Sequence, residues 1–273
     1  MHLRKGFVGI GIALLLAGCG AGTSTSSGTG SSTPTIAPSA LPSGDSSPAA
    51  TGGTYLNIPV PAAVLDAPLQ DQTGHTFTLA SLKGKLVVIA NFLTTCHDIC
   101  PLTSANMRSI AAAVKAAGAS DKVAVVEITV DPARDTPARL AAYQALYGGS
   151  TWTLATGSPA TLDALWNFLG VPAKQVPFDK KELATLPRDW QTGAVTTYDV
   201  QHPDIVVVLG ADGHWRWMDL GSPGTKPANV PQRLQAFLSA DGKDNLAHPS
   251  QPAWTVPAVT SAIDALAGTH IAG

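Results

Sequence analysis

Apolar residues along this chain fall either into short unbroken runs or into stripes recurring every three or four positions, and the two patterns alternate. Leu86 to Phe92 (LVVIANF) is a run of the kind that forms a strand buried on both faces. From Pro101 onward Met107, Ile110, Val114 and Ala117 recur on one helical face. Val123 to Val130 (VAVVEITV) predicts a second buried strand, and Pro137 to Tyr147 a second helix with Leu140, Tyr143 and Tyr147 aligned. Leu162, Leu165, Trp166 and Leu169 form a third helical stripe. Residues 171 to 196 then lose periodicity and read as an insertion or irregular hairpin. Ile205 to Leu209 is the next strand, and Ala211-Asp212-Gly213 turns it into His214 to Met218. Val230 to Leu238 supplies a last helix.

Ahead of these, Leu65 to Thr78 carries a turn signal at Gln72-Thr73-Gly74 between short strand-like stretches. Strand, helix, strand, helix, then hairpin and helix predicts an α/β protein with a thioredoxin-like fold, a central mixed sheet flanked by helices. A flavodoxin-like sheet would give similar early elements, and the late hairpin favours the thioredoxin-like order. Residues 241 to 273 are interrupted by proline and hold one weak stripe at Val259, Ile263 and Leu266, which predicts a loosely packed extension.

The N-terminus follows a different pattern. Arg4 and Lys5 precede the apolar run Gly6 to Ala17, too short for a spanning helix of about 20 residues but suited to a secretory signal. The run ends in Leu16-Ala17-Gly18-Cys19, which resembles the bacterial lipobox, where the signal is cut before a cysteine that then carries lipid. Residues 20 to 53 are Ser, Thr, Gly, Ala and Pro almost throughout and cannot build a core. The expected organisation is a lipoprotein signal over 1–18, a flexible disordered tether over 19–53, a folded domain over 54–240 and an extension over 241–273. The tether would span about 30 Å on average. The chain is expected outside the cytoplasm of a bacterium, lipid-anchored to the outer face of the cytoplasmic membrane or in the periplasm.

Charged residues make up 13% of the 273, about half of the ~25% usual in globular chains, and the net charge is −2. With no long basic run, a nucleic-acid partner is not expected. The three cysteines cannot form a disulfide scaffold, so each needs its own explanation, and Cys19 has one in the lipid anchor.

The other two stand in Cys96-His97-Asp98-Ile99-Cys100-Pro101, where the first central strand gives way to a helix. Pro101 suits a helix start, so both sulfurs are expected near free backbone N–H groups, which favour thiolate. The four-residue step turns the two side chains the same way, to share a metal or a disulfide. The plain alternative is a pair of buried cysteines acting as small hydrophobes, or an inert disulfide. Structural zinc asks for four ligands, and a soft metal of low coordination number, such as Cu(I), suits two thiolates better.

Thr95 to Pro101 (TCHDICP), Thr129 to Arg139 (TVDPARDTPAR) and Tyr198 to His202 (YDVQH) together resemble the Sco/SenC family of thioredoxin-like copper proteins, over about residues 65 to 240. The resemblance implies assistance in assembling the copper centre of cytochrome c oxidase, with one copper ion, Cu(I) or Cu(II), bound by Cys96, Cys100 and His202. His202 also stands where, in thioredoxin-like folds, the residue before a cis proline faces the dithiol. The expected partners are the copper-binding subunit of the oxidase, other periplasmic copper carriers, and the membrane through its lipid anchor. The sequence departs from the family at two places: Gln201-His202-Pro203 stands for Asp-His-Ser, which removes a carboxylate beside the histidine, and His97 stands for Pro. His97 is read either as an auxiliary ligand or as an exposed side chain.

A metallochaperone rather than an enzyme is the first reading. The alternatives are a thiol-disulfide oxidoreductase using Cys96 and Cys100 to keep oxidase cysteines reduced, and a copper or redox sensor. Asp131 and Asp135 look like a paired-carboxylate site, but a strand end and a helix cap by Asp135 or Thr136 explain them better. Asp98 is read as a helix-start residue with a role beside the metal left open. His75, His214, His248 and His270 are read as solvated or structural, and Trp215 and Trp217 as packing.

Overall fold

A computed structural model describes residues 52–273 apart from 150–151, 180, 182–184, 186–187, 250–253, 269–270 and 272–273. The signal, Cys19, nearly all of the tether, and His270 lie outside the described residues.

Strand β4 (Leu86–Phe92) is buried at every residue, as its unbroken apolar run requires. It pairs in parallel with β5 (Val123–Thr129) and antiparallel with β9 (Ile205–Leu209). Beyond β5 lies β6 (Thr153–Gly157), then β2 (Leu69–Asp71) and β3 (Thr76–Phe77). Beyond β9 lies β10 (His214–Leu220), then β1 (Thr54–Pro59). The sheet is therefore mixed, in the order β1-β10-β9-β4-β5-β6-β2-β3. Helices α2 (Cys100–Ala116) and α3 (Pro137–Leu146) follow β4 and β5, α4 (Pro159–Phe168) follows β6, and α1 (Ala62–Leu65) is a single turn after β1. This is the thioredoxin-like α/β fold, with the antiparallel β9–β10 hairpin following the parallel strands.

Helix starts obey local chemistry. Thr136 and Ser158 each accept a hydrogen bond from the N–H three residues on, and each is followed by a proline whose missing N–H costs nothing there. Thr136, not Asp135, is thus the cap.

The aperiodic stretch 171–196 contains β7 (Lys174–Pro177), which pairs with β8 (Tyr198–Gln201) in a separate two-stranded sheet. The C-terminal stretch departs further from expectation. After α5 (Gln232–Phe237) come α6 (Ala240–Ala247) and α7 (Val256–Ala267). Helix α7 packs on α2 and β4, with Val259 and Ile263 fully buried, so this segment completes the core instead of hanging loosely from it. Its Pro257 lies in the first turn, behind the Thr255 cap, where it starts the helix instead of breaking it.

Acidic side chains are buried in this core as well, Glu127 among them. Glu127 of β5 accepts hydrogen bonds from Ser104 Oγ at 2.9 Å and Trp152 Nε1 at 2.7 Å, and burial pushes its carboxyl up to about 8. The fold holds the proton more tightly than the unfolded chain does. That contribution to stability is full below the ordinary carboxyl range near 4.5 and is lost as the pH rises through about 8. Glu127→Gln should therefore flatten the decline of the melting temperature between pH 5 and 9. Parallel declines in variant and wild type would refute this placement of the proton.

Candidate metal site

Strand β4 delivers the chain to a tight turn in which Cys96 N–H donates to the Leu93 carbonyl at 3.2 Å. Helix α2 begins four residues later. Its cap position, Ile99, has no side chain able to accept a hydrogen bond. The Cys96 sulfur lies there instead and accepts from Cys100 N–H at 3.3 Å, so one sulfur meets a helix-start N–H as the sequence predicts.

The two thiols are free and differ in setting. Cys96 is half-buried and Cys100 is 1% exposed. The expectation that the helix start favours thiolate is reversed at Cys100. Burial pushes its thiol well up, and the adjoining Cys96 thiol and the Asp204 carboxylate raise it further. A dipole acting at the edge of a helix does not offset removal of the sulfur from water.

His202 lies between β8 and β9 with its side chain 6% exposed. Its orientation is set by Asn91, a polar residue inside the apolar run of β4. Ile205 N–H donates to Asn91 Oδ1 at 3.0 Å, which fixes the amide. The Asn91 Nδ2 hydrogens therefore face the Pro203 carbonyl at 2.8 Å and His202 Nδ1 at 2.6 Å. Nδ1 also lies 3.1 Å from the Pro203 carbonyl, to which it donates in the tautomer that carries its hydrogen there, leaving the Nε2 lone pair free. The signal for Asn91 was present in the sequence as the one amide in LVVIANF, where an apolar residue would be the rule.

Cys96, Cys100 and His202 line one cavity of about 210 Å³, together with Asp204 and Asp199. They do not yet form a closed cage: among the described residues, no group of three His, Cys, Asp or Glu side chains is close enough to hold a metal ion. Asp204 Oδ1 is buried without a hydrogen-bond partner, and lies 4.0 Å from His202 Nδ1. Burial raises its carboxyl, partly offset by His202.

The loop between the cysteines is held from the far end of the chain. Ser239 N–H donates to the His97 carbonyl at 2.8 Å, and the Ser239 hydroxyl donates to Asp98 Oδ1. Gly242 permits this approach, since a Cβ there would meet the His97 oxygen at 2.3 Å. Asp98 thus anchors the loop and does not cap α2. The His97 ring packs between Phe178 and Phe237 at the cavity margin, so it is neither fully exposed nor aligned solely with the cysteines.

The aspartates and arginines of TVDPARDTPAR fasten the two sides of the site. Asp135 is fully buried; burial lifts its carboxyl to about 6 while it accepts from Thr129 Oγ1 at 2.6 Å and Thr94 N–H at 3.1 Å. It thereby holds the turn leading to Cys96. Arg134 pairs with Asp131, lies 3.7 Å over the Tyr198 ring and donates to the Tyr198 carbonyl at 2.9 Å. That ties β8, and so His202, to the end of β5. The contacts of Asp135 with Thr94 and of Asp131 with the Tyr198 hydroxyl reach across the chain, beyond the strand-end and cap roles that the sequence suggests. The remaining described histidines sit apart: His75 beside Asp71, His214 beside Asn57 and Asp212, and exposed His248 beside Asp244.

Comparison with known proteins gives a consistent picture. The SCO1/SenC family model matches residues 66–239. A protein of Stutzerimonas stutzeri described as a putative copper-binding protein is 32% identical over 161 residues, 59% of this chain and 71% of its own. The SCO1 protein homolog of Bacillus subtilis is 32% identical over 110 residues, 40% of this chain and 56% of its own. Among solved structures, copper-bound ScoI of Bradyrhizobium japonicum is 29% identical, with a TM-score of 0.44, over 68% of this chain and 98% of its own.

Proposed function

The chain belongs to the SCO1/SenC family, and on that premise we propose that it is an exported copper-binding chaperone that takes up one copper ion and passes it to the copper centre of cytochrome c oxidase. The observation that carries the reading is the convergence of Cys96, Cys100 and His202 on one cavity from two separate parts of the chain. The donor chemistry fits the cargo. Thiolates select Cu(I), while an imidazole added to them suits Cu(II) as well.

In this reading Cys96, the more exposed sulfur, meets the incoming ion, and Cys100 and His202 close on it. His202 binds through Nε2 in the tautomer whose Nδ1 hydrogen is donated to the Pro203 carbonyl. The open arrangement suits a carrier, since ligands that must close to bind can also open to release by exchange with a partner's donors. Reduced protein should take up one copper ion per chain, and Cys100→Ser should abolish this; retained one-to-one binding in that variant would sink the reading.

The asymmetry of the thiols also favours a second reading, a thiol-disulfide reductase. The half-buried Cys96 thiolate would attack a partner's disulfide, and Cys100 would then attack the mixed disulfide. The partner leaves with two thiols, and this chain keeps the Cys96–Cys100 disulfide and gives up two electrons.

Attachment through lipid on Cys19 is part of the proposal. Among the described residues no helix is long and apolar enough to cross a membrane. Labelled fatty acid should appear on the chain and vanish with Cys19→Ser, which should release the protein from membranes. Unchanged membrane association of that variant would exclude the anchor.

A further inference from the structure

We propose that Asp204 is an additional oxygen donor at the copper site, selective for the oxidised ion; this rests on the chaperone reading above. Three observations carry it. Asp204 lines the cavity shared by Cys96, Cys100 and His202. Its Oδ1 is buried and has no hydrogen-bond partner. That oxygen lies 4.0 Å from His202 Nδ1, too far for a hydrogen bond but on the same wall as the imidazole. An unpartnered buried carboxylate oxygen is costly to the empty protein, and a cation entering the cavity would relieve that cost.

The chemistry of the donor sets the selectivity. Carboxylate oxygen is a hard ligand, weak toward Cu(I), whereas nitrogen and oxygen donors suit the tetragonal preference of Cu(II). Charge acts in the same direction. Two thiolates and a carboxylate leave a bound Cu(I) with two surplus negative charges and a bound Cu(II) with one, so a buried site favours the divalent ion. The position also bears on the missing acid before His202. Gln201 is exposed and carries no charge, while Asp204 brings a carboxylate to the imidazole from the opposite side of His202 in sequence.

The test uses reduced full-length chain, titrated separately with Cu(I) and Cu(II) in competition with chelators. Asp204→Asn should weaken Cu(II) by more than about 100-fold, beyond the 10- to 100-fold typical of a residue that only orients a ligand. Its effect on Cu(I) should stay within about threefold, because the thiolates hold that ion. The sulfur-to-Cu(II) charge-transfer band and the electron paramagnetic resonance spectrum should both change, and Asp204→Glu should restore part of the affinity. Because Oδ1 has no partner to lose, the metal-free Asn variant should melt no lower than wild type. Wild-type copper binding with an unchanged Cu(II) affinity and spectrum in Asp204→Asn overturns the assignment alone. A lowered melting temperature in the metal-free variant does so as well, by showing a structural role. A wild-type chain that binds no copper overturns the chaperone reading together with this one.

Discussion

His202→Ala should abolish tight Cu(II) binding while leaving Cu(I) on Cys96 and Cys100. Two thiolates satisfy a monovalent soft ion, but a divalent ion held by Cys96, Cys100 and His202 loses its imidazole ligand when His202 is removed. The change should exceed 100-fold for Cu(II), beyond the 10- to 100-fold typical of residues that only orient a ligand. Disulfide formation between Cys96 and Cys100 should survive, since exchange depends on thiolate character and access to sulfur. The same variant therefore separates the two proposed functions in cells. If oxidase maturation fails while thiol exchange on the purified chain is normal, the chaperone reading stands. Normal maturation without Cu(II) binding would transfer the role to the dithiol alone.

A comparably large effect, on stability, is expected at a helix that does not line the cavity. Ile263→Ala should destabilise the protein by about 2–5 kcal/mol, because a fully buried side chain on α7 leaves a cavity that its surroundings fill only in part. Helix α7 lies against α2 and β4, the elements that carry Cys100 and lead to Cys96, so there is little freedom to collapse around the gap. Leu266→Ala, at a partly buried position on the same helix, should cost clearly less. Equilibrium denaturation in urea measures both. A loss below about 1 kcal/mol at Ile263 would mean that α7 is dispensable to the core.

The central strands were legible because burial on both faces forces an unbroken apolar run, as at Leu86–Phe92 and Ile205–Leu209. Helices α2, α3 and α4 were legible from stripes and from prolines near their starts. Strand β6 escaped notice: TLATG is short and mostly small, and its partners β5 and β2, not its own pattern, fix it as a strand. Helix α7 departs from the pattern in which proline interrupts, because a proline in the first turn behind a capping threonine starts a helix.

At the site, the cysteines and His202 stood out as residue types with chemistry of their own. Asn91, Arg134 and Asp135 did not. Each acts on groups many positions away, and a single sequence displays such pairings only after the sheet has brought them together.

On the proposed carrier function, the docking of Ser239 and Gly242 against His97 and Asp98 bears on the speed of metal traffic. Fixing a backbone residue costs about 1–2 kcal/mol in conformational entropy. For the segment between the cysteines that loss is incurred when the chain folds, so it does not recur each time an ion arrives. Nor is it recovered when the ion leaves. Uptake and release then differ mainly in the bonds exchanged at sulfur and nitrogen. A carrier built this way can bind firmly and still hand over its ion without first having to unfold or refold the loop that holds it.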